Sequence, residues 1–300
     1  MQYARTVRVA ITGGTGLVGQ RLGQLLRDRG DEVTVISRRE GPGVIPWDVR
    51  EGVQPKDALS GFDAVVHLAG AAVAERRWTA ARKREIMDSR RDGTRAVVAA
   101  LAAADPRPSV LVCASAVGYY GDTGSEIVTE SSPSGDDFLA DVCCAWESEA
   151  DAAASIGVRV VKARIGLVLA LEGGALGRML PIFRVGGGGR LGSGRQWMPW
   201  IHIDDVVAGL VHTMDCTDCD GAYNLTAPEP VDNREFTRAL GQVLRRPAVV
   251  PVPGFALRLA FGELAGALLA GQRALPRRLL REGFSFRHST LPAALNDLVA

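Results

Sequence analysis

Two short stretches hold residues whose types and spacing suit them to chemistry. The first is Thr12-Gly13-Gly14-Thr15-Gly16-Leu17-Val18-Gly19, set between an apolar run and a helical pattern. Gly13 allows a tight turn, Gly16 lets the backbone approach a pyrophosphate, and Gly19 lets the helix lie close on the strand. The helix N-terminus adds oriented N–H groups and partial positive charge, and Thr15, Leu17 and Val18 share in the same contact. The second stretch is Ser37-Arg38-Arg39, at the end of the next apolar run, with no acidic residue before Glu40. A carboxylate at that place would accept a ribose 2′-hydroxyl, whereas guanidinium groups bind a 2′-phosphate through paired hydrogen bonds. The pair therefore favours NADP(H) over NAD(H); the plain alternative is a solvated basic loop.

The elements that must carry these residues follow from periodicity. Val7 to Ile11, Glu32 to Ile36, Ala64 to Leu68, Val110 to Ala114 and Val158 to Ala163 read as strands. Between them, Leu17 to Arg29, Thr79 to Ala104 and Phe138 to Ser155 read as helices. That alternation predicts a parallel sheet covered on both faces, a Rossmann-type doubly wound α/β fold. After Arg164 the texture changes: the stretch 173–194 is rich in glycine, including the run Gly186 to Gly189, and reads as a functional or mobile loop. Ile201 to Met214 reads as strand-to-helix, Ala222 to Leu225 as a short strand, and the remainder as mostly helical, with a buried or partly buried helix over Gly254 to Gly271. The expected division is a nucleotide-binding domain of residues 1–165 plus 201–222, and a smaller C-terminal α/β domain of 166–200 plus 223–300.

Composition narrows the function classes. The 300 residues are 47% hydrophobic and 23% charged, with a net charge of +1, which gives no electrostatic case for nucleic acid or an acidic membrane surface. No window has the ~18 uninterrupted apolar residues of a membrane-spanning helix, and Met1 to Thr6 lacks the features of a signal peptide. Five cysteines suit a reducing compartment, and the expected location is cytoplasmic. Cys216 and Cys219 form a C-x-x-C, but a zinc site would need two more ligands, so the pair reads as a loop and no metal is expected.

The order of motifs is also familiar. The glycine turn, Trp47-Asp48, His67-Leu68-Ala69-Gly70, Gly93-Thr94, Tyr120-Gly121 and Ile201-His202-Ile203-Asp204-Asp205 resemble the extended short-chain dehydrogenases/reductases of the NAD-dependent epimerase/dehydratase superfamily. More narrowly, Arg77-Trp78, Asp88-Ser89-Arg90, the stretch Ser115 to Gly121, Trp146-Glu147, Leu191 to Trp197, Ala227 to Val231 and Gly283 to Phe286 resemble its atypical, SDR39U1-like epimerase group. The resemblance implies that Asp48 and Val49 flank an adenine and that Leu68, Ala69 and Gly70 line the dinucleotide's path. It also implies a homodimer through the helices near 79–104 and 138–155.

The resemblance stops at the catalytic set. The branch places a Ser or Thr five residues before the Tyr-Gly glycine, then Tyr-x-x-x-Lys on a helix; here those positions hold Ala116, Asp141 and Ala145. Substitutes near the sheet's carboxyl edge are Tyr119 and Tyr120 as proton donors and Ser115 as a hydrogen-bonding hydroxyl; the alternatives are a packing tyrosine and a strand-end hydroxyl bonded to backbone. His202, between Trp200 and Asp204-Asp205, could titrate near neutrality or simply tie the domains together, and His67 reads as a core histidine. Arg178, Arg184, Arg190 and Arg195 form a basic set in which Arg190, Arg195 and Trp197 could grip an anionic substrate; the alternative is a solvated loop. Two readings follow. One is an NADP(H)-dependent oxidoreductase or epimerase-like enzyme on a small molecule, with nucleotide sugars in view. The other is a non-catalytic NADP(H)-sensing regulatory protein, related to cell division.

Overall fold

The computed structural model describes residues 6–48, 55 and 57–299. Its strands are β1 (Arg8–Thr12), β2 (Glu32–Ser37), β3 (Val44–Pro46), β4 (Ala64–His67), β5 (Val110–Ala116), β6 (Ile127–Val128) and β7 (Arg159–Ile165). They continue as β8 (Leu167–Leu169), β9 (Trp197–Met198), β10 (Trp200–His202), β11 (Gly221–Leu225), β12 (Val231–Asp232) and β13 (Arg273–Ala274). The helices are α1 (Leu17–Asp28), α2 (Ala80–Ala103), α3 (Phe138–Asp151), α4 (Gly174–Arg184), α5 (Ile203–Asp215) and α6 (Asn233–Val243). Shorter ones follow as α7 (Gly254–Phe261), α8 (Leu264–Leu269), α9 (Arg277–Arg281) and α10 (Leu291–Val299).

Seven strands form one sheet in the order β11-β7-β5-β4-β1-β2-β3, with every neighbouring pair parallel. This is the Rossmann-type α/β fold. Alternation along β1 builds the two cores: Ala10 faces the layer of α2 and α3 with Val97, Leu101, Leu111 and Trp146, while Val9 and Ile11 face Leu22, Leu26, Val206 and Leu210 on α1 and α5. The strand order reverses between β1 and β4, and a crevice at the carboxyl ends of such strands is where ligands bind in open parallel sheets.

Hydrogen-bonding side chains set where the long helices begin. Thr79 accepts from Arg82 N at 3.1 Å at the start of α2, and Asp137 accepts from Ala140 N at 2.9 Å at the start of α3. The α-helical part of the segment read as Phe138 to Ser155 ends at Asp151 and tightens into a 3-10 turn over Ala152–Ile156. The edge strand β3 is an addition to the sequence reading: three residues ending in proline carry too little pattern to be seen.

The smaller layer has its own core, in which Leu169, Leu176, Phe183, Trp200, Phe236, Leu240, Leu291 and Leu295 are buried together. The strand β11 belongs to the large sheet and spans the boundary expected at residue 222. The segment read as one helix over Gly254 to Gly271 is instead α7 and α8, broken where Gly262 takes φ +61°, with Phe255 and Leu259 exposed. The stretch 173–194, read as a loop, opens instead with the helix α4, and the glycine run that follows also differs from a mobile loop. Val250 N donates to Gly188 O at 3.2 Å, Val252 N to Arg190 O at 2.9 Å and Gly192 N to Val252 O at 2.8 Å. A Cβ on Gly189 would lie 1.6 Å from Val250 O, so glycine here permits close packing of two chain segments rather than freedom.

Candidate functional site

The glycine turn sits at the carboxyl end of β1 and leads into α1, with Gly16 as the residue before the first helical turn. Gly13 takes φ +70°, and a Cβ there would lie 2.8 Å from the backbone of Leu68 and Ala69. A Cβ on Gly19 would lie 2.4 Å from Gly13 O, so any side chain at 19 would drive α1 away from β1. The turn is closed by Gly16 N donating to Gly13 O at 2.9 Å. The first amides of α1 are thus presented at the turn, where Leu17 and Val18 begin the helix.

Against this turn lies a cleft of about 850 Å³ whose walls include Thr12, Gly13, Thr15, Gly16, Leu68, Ala69 and Gly70. Its far end is formed by Ser37, Arg38, Arg39, Trp47 and Asp48. The cleft therefore joins most of the residues assigned to the cofactor from sequence; Val49 lies outside the described residues. Arg38 and Arg39 are exposed, and neither side chain has an ion pair or hydrogen-bond partner among the described residues. Trp47 is 5% exposed, and its indole Nε1 has no hydrogen-bond partner among the described residues. A cradle that a Cβ would fill, with two guanidinium groups and an indole donor that have no partner among the described residues, fits a dinucleotide with a ribose phosphate. Arg82, which sequence reasoning passed over, also lines the cleft; it is 6% exposed and pairs with Glu85 at 2.6 Å and Glu75 at 3.4 Å.

At the end of β5 the candidate acid–base residues enter a buried network. Ser115 Oγ donates to Glu147 Oε1 at 2.7 Å. Arg164 binds both oxygens of Glu147 at 2.8 Å through Nε and Nη2, and its Nη1 donates to Tyr120 Oη at 3.0 Å. Tyr120 Oη in turn donates to Asn224 Oδ1 at 2.7 Å on β11. Burial pushes the Tyr120 phenol up to about 12 despite the neighbouring guanidinium. For Arg164, burial is the largest single influence and works against the charge, but the hydrogen bonds and attraction of Glu147 and Tyr120 together outweigh it and hold the pKa above its ordinary value. Tyr119 is only half-buried, its ring lies 3.4 Å from the Arg164 guanidinium carbon, and its hydroxyl has no hydrogen-bond partner among the described residues. The face of α3 turned to this strand end carries Leu139, packed on Gly118, with Cys143 and Glu147 at four-residue spacing, whereas Asp141 is exposed. Glu147, Arg164 and Asn224 were not among the sequence candidates; only Glu147 had a signal, as part of Trp146-Glu147.

The histidines have structural surroundings. His67 is fully buried between Thr12 Oγ1 at 2.6 Å and Thr94 Oγ1 at 3.1 Å, and burial, with Arg90 adding to it, lowers its pKa to about 4. His202 caps α5 by accepting from Asp204 N at 3.1 Å, stacks on His288 with ring centroids 3.9 Å apart, and has its pKa lowered first by burial. Cys216 and Cys219 form a disulfide beside His212 and Glu282. None of the residues considered for an anionic substrate lines the dinucleotide cleft. Trp197 lies under the Arg273 guanidinium at 4.2 Å, Arg195 is exposed, and Arg190 faces a different concavity, with Arg234 beside it. Among the described residues, no helix is long and apolar enough to cross a membrane.

Comparison with known proteins agrees with this geometry. Residues 9–226 match the model of the NAD dependent epimerase/dehydratase family, and residues 252–298 match a domain of unknown function, DUF1731. An epimerase family protein of Mycobacterium bovis is 44% identical over 290 residues, covering 96% of each chain. A chloroplastic SDR39U1 homologue of Arabidopsis thaliana is 41% identical over 311 residues, covering 99% of this chain and 88% of its own. The crystal structure of human epimerase family protein SDR39U1 with NADPH superposes with a TM-score of 0.90 at 38% identity, covering 97% of this chain and 99% of that one.

Proposed function

The chain belongs to the NAD dependent epimerase/dehydratase family, in its SDR39U1-like branch, and from that premise we propose that it binds NADP(H) and acts as an oxidoreductase or epimerase-like enzyme on a small molecule. Nucleotide sugars are the first substrate class to test. One observation carries the cofactor reading: the glycine cradle of Gly13, Gly16 and Gly19 opens on a cleft whose far end holds Arg38 and Arg39 without partners among the described residues. The α1 N-terminus and the turn amides would hold the pyrophosphate, the two arginines the 2′-phosphate, and Leu68 to Gly70 would line the path between. When bound, NADP(H) supplies a hydride donor or acceptor. Of the three candidate hydroxyls, Ser115 and Tyr120 donate within the Glu147–Arg164–Asn224 network, so Tyr119 is the one left to exchange a proton with a substrate. The human homologue's complex with NADPH supports the choice of cofactor. A cytoplasmic location and a homodimer through α2 and α3 belong to the same proposal.

The closed network also favours a second reading, a regulatory protein that binds NADP(H) without turning it over. Fluorescence titration separates the cofactor claim from both: NADPH should bind about tenfold or more tightly than NADH, and the double variant Arg38→Ala/Arg39→Ala should lose that margin. Equal or tighter binding of NADH by the wild type would overturn the proposal. Oxidation of bound NADPH by a sugar nucleotide, ketone or aldehyde, slowed by Tyr119→Phe with NADPH affinity unchanged, supports the enzyme; no oxidation across the panel supports the sensor.

A further inference from the structure

A second concavity of about 660 Å³ opens in the smaller layer and shares no wall residue with the dinucleotide cleft. Its walls carry five arginines and no carboxylate: Arg190 from the glycine-rich segment, Arg234 and Arg238 on α6, and Arg245 and Arg246 just past that helix. Arg234 and Arg238 are four residues apart on α6 and so share one face of that helix. Arg190 is held over this face by hydrogen bonds from Nη1 to Gly192 O at 2.7 Å and Ser193 O at 3.0 Å. None of the five has an ion pair among the described residues, in a chain whose net charge is only +1. Like charges confined to one concavity repel, and an anion placed among them relieves that repulsion.

Two further features point inward. Thr237 lines the concavity and is 3% exposed, and its hydroxyl is buried without a hydrogen-bond partner among the described residues. Arg245 takes φ +54° just after α6, where Arg245 N donates to Gln242 O at 3.0 Å and Arg246 N to Gly241 O at 2.9 Å. That is a helix terminus in which glycine or asparagine costs least, yet an arginine stands there with its side chain at the concavity. Pro247, Ala248 and the exposed Val249 add apolar lining to the same concavity.

We propose that this concavity binds a small anion carrying two or more phosphoryl groups, such as a nucleoside polyphosphate. A single phosphate can be satisfied by two or three arginines, since each offers a two-pronged donor set, and five exceed that need. The cluster is concave and local, whereas a nucleic-acid strand requires a basic track along its backbone. The site is independent of the dinucleotide reading, because none of its residues lies in that cleft.

Isothermal titration with sodium tripolyphosphate tests it, using wild type, Arg238→Ala/Arg245→Ala and Arg38→Ala/Arg39→Ala. The expected result is one tripolyphosphate per chain, weakened as salt rises, with affinity about tenfold or more lower in Arg238→Ala/Arg245→Ala and retained in Arg38→Ala/Arg39→Ala. Thermal melting should show both double variants folded, and Arg238→Lys/Arg245→Lys should restore part of the affinity. Absence of binding, loss that follows Arg38 and Arg39 instead, or tighter binding of a DNA strand or of phosphoinositide vesicles through Arg238 and Arg245 would each overturn it.

Discussion

Acidification should weaken the fold through His67, and the size of the effect follows from where that ring sits. It lies between Thr12 on β1 and Thr94 on α2, fully buried, with its pKa lowered to about 4 from an ordinary 6.5. The neutral ring satisfies both hydroxyls, because it has one donor nitrogen and one acceptor nitrogen. As pH falls below 6.5 the unfolded chain binds a proton that the folded chain does not take up until near 4, so this contribution to stability is complete above the upper value and lost through that window. The gap corresponds to ~3 kcal/mol in full, of which about 2 kcal/mol is felt between pH 7 and pH 5. Urea denaturation at several pH values, run on wild type and His67→Gln, isolates the term. The variant should start less stable and lose about 2 kcal/mol less over the same interval, since glutamine does not titrate. Parallel stability curves for the two proteins, or an imidazole resonance of folded His67 titrating near its ordinary value, would refute the reasoning.

Two other substitutions probe the polar framework. Glu147→Ala leaves the Arg164 guanidinium, 4% exposed, without either carboxylate oxygen, and should cost about 3–5 kcal/mol in denaturant unfolding; a loss under about 1 kcal/mol would contradict a buried ion pair. Arg245→Gly relieves a left-handed arginine and should stabilise the chain by up to about 1 kcal/mol while weakening tripolyphosphate binding, both read on the same preparation by melting and calorimetry.

What could be read in the sequence was local. Each glycine of the turn answers to a neighbour within a few residues or to the next strand, so Gly13, Gly16 and Gly19 announced both the strand–turn–helix and its ligand face. Arg38 and Arg39 were legible for the same reason, since the end of the second strand is fixed once the first is placed. The network around Tyr120 was not. Its hydroxyl meets Arg164 and Asn224, 44 and 104 residues further along, and only the strand order β11-β7-β5 brings them together. The glycine run misled because composition cannot separate freedom from close approach; Val250 decides it, and Val250 lies beyond four strands and two helices. The arginine groove was half visible. Arg190 was noticed, but Arg234 and Arg238 lie in a stretch read only as helical, and the fold is what sets Arg190 beside them.

The Tyr120 network bears directly on what chemistry this chain can perform. In the usual arrangement a lysine lowers a tyrosine's pKa so that the phenol can pass a proton at neutral pH. Here a guanidinium touches the phenol, but Glu147 takes two of that cation's four hydrogen bonds and Glu130 O another, and burial outweighs the effect of the cation on the phenol. A phenol pushed up to about 12, donating to Asn224, joins the turn after β5 to β11 as a structural link rather than a proton relay. Tyr119 shares the same guanidinium through its ring face, which leaves its hydroxyl outside the network. Geometry thus divides the adjacent tyrosines: the Tyr120 hydroxyl is tied to Arg164 and Asn224, whereas the Tyr119 hydroxyl has no hydrogen-bond partner among the described residues.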